Sequence, residues 1–511
     1  MVNQLRFWLY RNLVALLELL DFKKTEIIPL APPADRQVRF RPFSEAHPDM
    51  PIRGLHEAVT YPLEDRAEPR LREIRSAKLV LSFLSWIAPR HTPPVPRDLE
   101  RFLSSVYPRG FRLAWPIPPA LPPQLARPDA DVLAELAVCA PFGSYLRRAG
   151  SDSGENTYEL DLRWVNGYQV RESLARPGGR ALFAVRDGRL ATAAIHPDHL
   201  PTELARGALL AGLNEDLTTF RHNLSVHLTM LTSFALATTN KLNARHPVRR
   251  LLHHCFHTVL IGNREIAELQ LAGARGYSAT IFSHDAAELL RMADDHVSRF
   301  DFWDFEPDTQ FRNRGTMQTP FDYPYRDNIL RLWAETAAYV KDYLALYYQG
   351  GDSVRSDAEL ARWARELDRL VPNGITLPGG DITFEWLARV SATLIHVSTV
   401  EHDVLNNIAW NYSTLGWIVP TVVPLSGEMM DQRRAFDLIA TIIGTWKPYN
   451  MLLTANVPAL ALDERAAGAM QKWIERLGKI QDNMASGPVE PDRQPDLSLS
   501  YPANLNVSIS N

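Results

Sequence analysis

The sequence predicts a mainly α protein, one large helical domain with a small antiparallel β subregion. Three observations lead there. From about Thr202 onward, apolar residues recur at helical spacing in one segment after another. Strand-like alternation is confined to residues 158–195, where it brackets an Asp187-Gly188 turn. Of the 511 residues 46% are hydrophobic and 22% charged, enough apolar material for a large core. No internal repeat or low-complexity tract divides the chain, so a single domain over 1–511 is expected.

Residues 5–22 are strongly apolar, with Phe7, Trp8, Leu9, Leu13, Val14, Leu16, Leu17, Leu19 and Leu20. Arg6, Arg11, Glu18 and Asp21 interrupt them, and no small-residue cleavage site follows. The pattern fits neither a signal peptide nor a membrane span. Two readings stand: a buried helix, or an interfacial helix or lid that makes peripheral contact with a membrane. Residues 29–70 read as irregular, and 71–87 as a helix. Residues 115–128, with Pro116, Pro118, Pro119, Pro122 and Pro123, read as a stiff extended strap. Strands follow at 158–162, 182–185 and 190–195. Helical periodicity then marks 204–213, 224–242, 248–271, 286–300, 329–346, 384–410, 432–443 and 464–484. Nothing before residue 100 alternates enough to build a β-barrel.

A net charge of -4, without blocks of Lys and Arg interleaved with aromatics, argues against nucleic acid as a partner. Two cysteines, Cys139 and Cys255, cannot make a disulfide framework or a zinc–thiolate cluster. They read as free thiols, and a cytoplasmic monomer is expected.

Three groups could carry chemistry. His222 and His227 lie five apart in a helical segment. On a regular helix they would point roughly 140° apart, so they converge only where the helix widens, as in a π-bulge. His402 and Asn406 are four apart and share one face of an ordinary helix. His253 and His257, with Cys255 between them, are as good a pair on spacing alone. Each pair taken singly is more simply read as structural. The last residues, Val507-Ser508-Ile509-Ser510-Asn511, are strand-like and stop without a frayed polar tail, which directs attention to the terminal carboxylate.

Taken in order, these features resemble the lipoxygenase family. That family has two histidines five apart, then a His-Pro-aliphatic-x-basic-Leu-Leu-His stretch, matched here by His246 to His253. A His with Asn or His four later follows on a distant helix, matched by His402 and Asn406. The family ends in a motif similar to Asn506-Val507-Ser508-Ile509-Ser510-Asn511. Leu499-Ser500-Tyr501-Pro502, Gln471-Lys472-Trp473 and the Asp187-Gly188 hairpin are similar too. The resemblance covers roughly 130–511. It implies a compact bacterial-type form, with residues 129–511 as the catalytic core and 1–128 as N-terminal helices and strap, without the N-terminal β-barrel of many eukaryotic members.

The resemblance also implies a ligand set of His222, His227, His402, Asn406 and the Asn511 carboxylate, holding one Fe(II)/Fe(III) per chain. Such donors suit a first-row divalent metal, manganese included. With one anionic ligand in five, Fe(III) is a strong oxidant. Its hydroxide would take a hydrogen atom from a polyunsaturated fatty acid or related lipid, and O2 would add to give a hydroperoxide. An alternative is an oxidase acting on a non-fatty-acid unsaturated small molecule or rearranging a hydroperoxide. An inactive lipid-binding protein is the third reading.

Several positions depart from the family. Thr218 and Ala409 stand where a hydrogen-bonded pair of glutamines is common. Leu231 stands where an acidic residue often follows the second histidine. Asp295, beside Asp294, falls where Ala or Gly influences the site and face of oxygenation. A carboxylate there needs a partner or water. The terminal residue is Asn511 instead of Ile, which leaves a main-chain carboxylate available.

Overall fold

The computed structural model describes residues 5, 6, 8, 9, 12, 30–62, 125, 130–139, 141–150, 156–197, 199–271, 277–349, 351–375, 382–408, 412, 418–426, 451–486 and 500–509. The expected helices at 71–87 and 432–443 lie outside these residues, as does the strap at 115–128 apart from Leu125.

The chain enters through β1 (Phe40–Pro42) and β2 (His56–Ala58), an antiparallel pair with Phe40 opposite Ala58. This stretch was expected to be irregular; strands of three residues are too short to show a period. Helix α1 (Val132–Cys139) leads to a four-stranded antiparallel sheet in chain order, β3 (Arg147–Arg148), β4 (Thr157–Asp161), β5 (Arg180–Arg186) and β6 (Arg189–His196). Asp187 and Gly188 join β5 to β6 with φ of 49° and 71°, the left-handed pair that a two-residue hairpin turn requires.

Most of the remaining regular structure among the described residues is helical. Helix α2 (Thr202–Glu215) runs into a π-helical segment, Asp216–Leu231, and on into α3 (Thr232–Lys241). Next come α4 (Pro247–Leu252) and α5 (Val259–Leu271). The sequence reads 248–271 as one segment. The chain instead breaks through a 3-10 turn at His253–Phe256 and a left-handed Thr258 at φ 56°. Helix α6 is Ala286–Ser298 and α7 is Pro324–Ala345. Helix α8 (Ala358–Leu370) is capped by Asp357, whose side chain accepts from the Glu359 and Leu360 amides. Helix α9 (Phe384–His396) starts at Thr383, which accepts from the Trp386 amide. A second π segment, Val397–Glu401, joins α9 to α10 (His402–Ile408), and α11 (Glu464–Ser486) follows.

Helix α7 packs against α9 and α11, α8 against α3, and both α5 and α10 against the long π segment. The helical run from Ala208 to Thr238 and the run from Val390 to Leu405 are buried on nearly every side. A helix buried all round is a core helix. The two candidate ligand pairs sit on these two runs, in the middle of the core. Among the described residues no helix is long and apolar enough to cross a membrane. At the N-terminus Leu5, Trp8 and Leu9 are helical and exposed.

Candidate metal centre

The widening that a five-residue spacing demands is present through the whole of Asp216–Leu231. Its own side chains help hold it open. Asn223 Nδ2 donates to the Thr218 carbonyl (2.6 Å), Thr229 Oγ1 to that of Leu224 (2.8 Å) and Thr232 Oγ1 to that of His227 (3.1 Å), each five residues back. Short polar side chains that bond nearby carbonyls compete with regular α-helix geometry, and here they favour the i→i+5 pattern. The result turns His222 and His227 to the same side. Helix α10 brings the third imidazole. His227 Nε2 lies 3.2 Å from His222 Nε2 and 3.0 Å from His402 Nε2, and all three nitrogens fall within 4.8 Å of one another. All three histidines are buried.

The surrounding hydrogen bonds decide where the imidazole protons sit. Asn263 Nδ2 donates to the His227 carbonyl (2.6 Å) and to Thr232 Oγ1 (2.9 Å), which leaves its Oδ1 facing His227 Nδ1 at 2.9 Å. That nitrogen therefore carries the proton. His402 Nδ1 lies 2.8 Å from the Asp403 carboxylate and donates to it. His227 thus turns a bare Nε2 lone pair toward His402 Nε2, 3.0 Å away. Protonation is opposed. Burial, reinforced by the neighbouring imidazoles, holds His222 and His227 well below the ordinary histidine range. Three converging imidazoles, two of them oriented through their outer nitrogens, are what a divalent first-row metal selects. The residues present fit such an ion.

Charged and polar groups brace the centre from behind. Arg221 and Glu401 each precede a ligand histidine and form a buried ion pair, with Nε and Nη2 at 2.8 and 2.6 Å from Oε1. The guanidinium also lies 4.7 Å from the Phe305 ring centroid. Nearby, Tyr145 donates to Asp216 at 2.5 Å, and burial pushes the Asp216 carboxyl up to about 6. On the other side, both the main-chain N–H and Nδ2 of Asn506 donate to the second oxygen of Asp403. The segment Leu505–Ile509 is buried, with the Val507 carbonyl 3.0 Å from His254 Nδ1.

Asn406 lies one turn beyond His402 on α10, half-buried. Leu231 is buried at the end of the π segment. Thr218 donates to Asn214 Oδ1 at 3.4 Å. Ala409 and Asn511 lie outside the described residues. Asp294 pairs with Arg53, and Asp295 accepts from the Tyr168 hydroxyl at 2.6 Å, so each carboxylate has a partner. The neighbouring His296, not Asp295, reaches the long π segment, with Nε2 2.8 Å from Ser225 Oγ.

The rival histidines are not brought together. His253 Nε2 meets the Ala31 carbonyl at 2.9 Å, and burial pushes the Cys255 thiol up to about 12. Among the described residues, His222, His227 and His402 form the one group of His, Cys, Asp or Glu able to hold a metal. His246 instead caps α4, accepting from the Val248 amide at 3.2 Å, while its Nε2 lies 3.1 Å from Asp357. Sequence reasoning passed over Asn263 and Asp403. The adjacency of Asp403 to His402 was a usable signal; nothing local singles out Asn263.

Comparison with known proteins follows the same lines. The family model described as Lipoxygenase matches residues 213–424. A linoleate 9/13-lipoxygenase of Pseudomonas aeruginosa is 34% identical over 192 residues, 36% of this chain and 27% of that protein. A human hydroperoxide isomerase is 30% identical over 147 residues, 29% of this chain and 20% of that protein. A mouse polyunsaturated fatty acid lipoxygenase is 28% identical over 201 residues, 39% of this chain and 29% of that protein. The chain thus spans less than a third of the length of these relatives. Among solved structures, a coral 8R-lipoxygenase superposes with a TM-score of 0.73 at 17% identity, covering 93% of this chain and 79% of that one. The manganese lipoxygenase of Gaeumannomyces graminis superposes with a TM-score of 0.72 at 12% identity, covering 93% and 96%. At these identities the likeness is one of fold.

Proposed function

We propose that this chain, whose residues 213–424 match the lipoxygenase family model, is a non-haem metal dioxygenase that adds O2 to a polyunsaturated fatty acid or related lipid to give a hydroperoxide. The observation that carries this is the meeting of three buried imidazole Nε2 atoms, two of them with their protons held on the far side of the ring. His222, His227 and His402 would hold the metal, with Asn406 and Asn511 completing the set. We favour iron; the same donors suit manganese. When bound, iron in a set with a single anionic ligand supplies one-electron oxidation of a weak C–H bond between two double bonds.

The chain's own residues do the rest. Asn263 and Asp403 keep the Nδ1 protons outward, so the Nε2 lone pairs stay on the metal side. Arg221 and Glu401 tie the two ligand helices together one residue before each ligand. Placement on two core helices keeps the three imidazoles away from bulk solvent. The exposed Leu5, Trp8 and Leu9 support the interfacial reading of the N-terminus over the buried one, as a contact through which a lipid substrate is approached.

Oxygen uptake and conjugated-diene formation with a panel of unsaturated fatty acids test the activity. Lipid-dependent uptake that is lost in His402→Ala is expected; activity persisting in that variant would refute the site. A second reading has its own support, because the relatives include a hydroperoxide isomerase. Under it, lipid hydroperoxide is consumed without uptake of O2, and the same two measurements separate the cases.

A further inference from the structure

Asp403 stands between the third imidazole and the end of the described chain. It is fully buried, and its two oxygens face different ways. Oδ1 accepts from His402 Nδ1 at 2.8 Å. Oδ2 accepts from the main-chain N–H of Asn506 and, at 3.2 Å, from its side-chain Nδ2. Asn506 belongs to a segment held on its other side by chain pairing, with the Leu452 amide donating to the Leu505 carbonyl at 2.7 Å and Met451 bridged to Asn506. A carboxylate can accept on both oxygens at once; no neutral side chain of the same shape can.

We propose that Asp403 is a positioning residue with two tasks: its Oδ1 fixes the His402 ring with the proton on Nδ1, and its Oδ2 docks the C-terminal segment beside the same ligand. This rests on the metal-centre reading above and adds that one buried carboxylate couples the helix α10 ligand to the chain end. Removing it acts on two supports of the centre, whereas Asn263 supports one.

Asp403→Asn is the informative change, because it preserves volume. One of its two terminal atoms becomes an NH2 donor, so whichever way the amide turns, either His402 Nδ1–H or Asn506 N–H faces a donor. The His402 side can be relieved only by moving the ring proton to Nε2, the position a metal needs bare. Three measurements follow on full-length protein: ¹⁵N chemical shifts of the His402 ring in the metal-free form, hydrogen exchange of the Asn506 amide, and titration with Fe(II) and Mn(II). The expected result for Asp403→Asn is an Nε2-protonated His402 or a faster-exchanging Asn506 amide, with metal affinity lowered about 10–100-fold. Ser508→Ala, which removes the bond to the His257 carbonyl at 3.3 Å, serves as the control for general loosening of the segment and should leave the His402 tautomer unchanged. Wild-type protein that binds metal while Asp403→Asn binds equally well, with unaltered tautomer and exchange, overturns this inference alone. Wild-type protein that binds neither metal overturns the metal-centre reading, and this inference with it.

Discussion

Replacing Glu401 by Gln isolates the buried ion pair that braces the two ligand helices. In the native protein Arg221 reaches Glu401 Oε1 through two N–H groups at 2.8 and 2.6 Å, with side-chain exposures of 10% and 5%. The glutamine keeps an acceptor oxygen of the same shape but leaves a buried guanidinium without its counter-charge. Removing one partner of such a pair costs about 3–5 kcal/mol; retention of a hydrogen bond places the variant at the lower end. Asp216 moderates the loss. Its carboxyl is raised to about 6 by burial, against a bond from Tyr145 and the field of Arg221. Without Glu401, that field acts on Asp216 more strongly and lowers its value. The penalty in the variant is therefore largest below that lowered value, where Asp216 is protonated in both proteins, and shrinks as pH rises from it to about 6. Equilibrium chemical denaturation at a series of pH values measures it, and the single variant Arg221→Met with the double variant Arg221→Met, Glu401→Gln closes the cycle. The double variant should recover most of the loss, because no unpaired charge remains. A single-variant loss below about 1 kcal/mol at every pH, with simple additivity, would show that the pair is not a brace.

Asn263→Ala removes the acceptor for His227 Nδ1–H and two donated bonds, so metal affinity measured by titration should fall about 10–100-fold. An unchanged affinity would mean the tautomer is set elsewhere. His396 is buried with neither ring nitrogen partnered, and burial lowers it to about 4. Its folded value lies below the unfolded one, so its contribution is present above pH 6.5 and lost as pH falls toward 4, by roughly 3 kcal/mol. His396→Phe, which can keep the edge contact with Trp333, should flatten acid unfolding over that range; an identical acid limb would refute this. A Cβ at Gly212 would sit 2.0 Å from the Pro177 carbonyl oxygen. Gly212→Ala should thus destabilise by about 1–3 kcal/mol or more. Gly468→Ala in α11, where nothing lies within 4 Å, should stabilise by up to about 1 kcal/mol. Equal melting shifts for the two would contradict the packing described.

The long periodic helices and the Asp187-Gly188 hairpin were legible because each is written in local pattern: apolar residues on one face, or two positive-φ positions between alternating runs. The need for a widened helix between His222 and His227 was legible from spacing alone, and its cause, three side chains bonding carbonyls five residues back, sits in the same stretch. What the sequence hides is long-range. Asn263 meets His227 from another helix, and the Arg221–Glu401 pair spans 180 residues of chain. No local rule links such partners. The break at Thr258 was missed because apolar periodicity continues across it. His246 to His253, prominent as a motif, turns out to cap and anchor α4 instead of binding metal.

Metal analysis of the purified protein, beside His227→Ala, tests the central claim most directly. Near-stoichiometric iron or manganese in the wild type, lost in the variant while the fold is retained by circular dichroism, is the expected result. Wild-type protein that emerges without either metal and takes up neither on addition would contradict a metal centre at His222, His227 and His402.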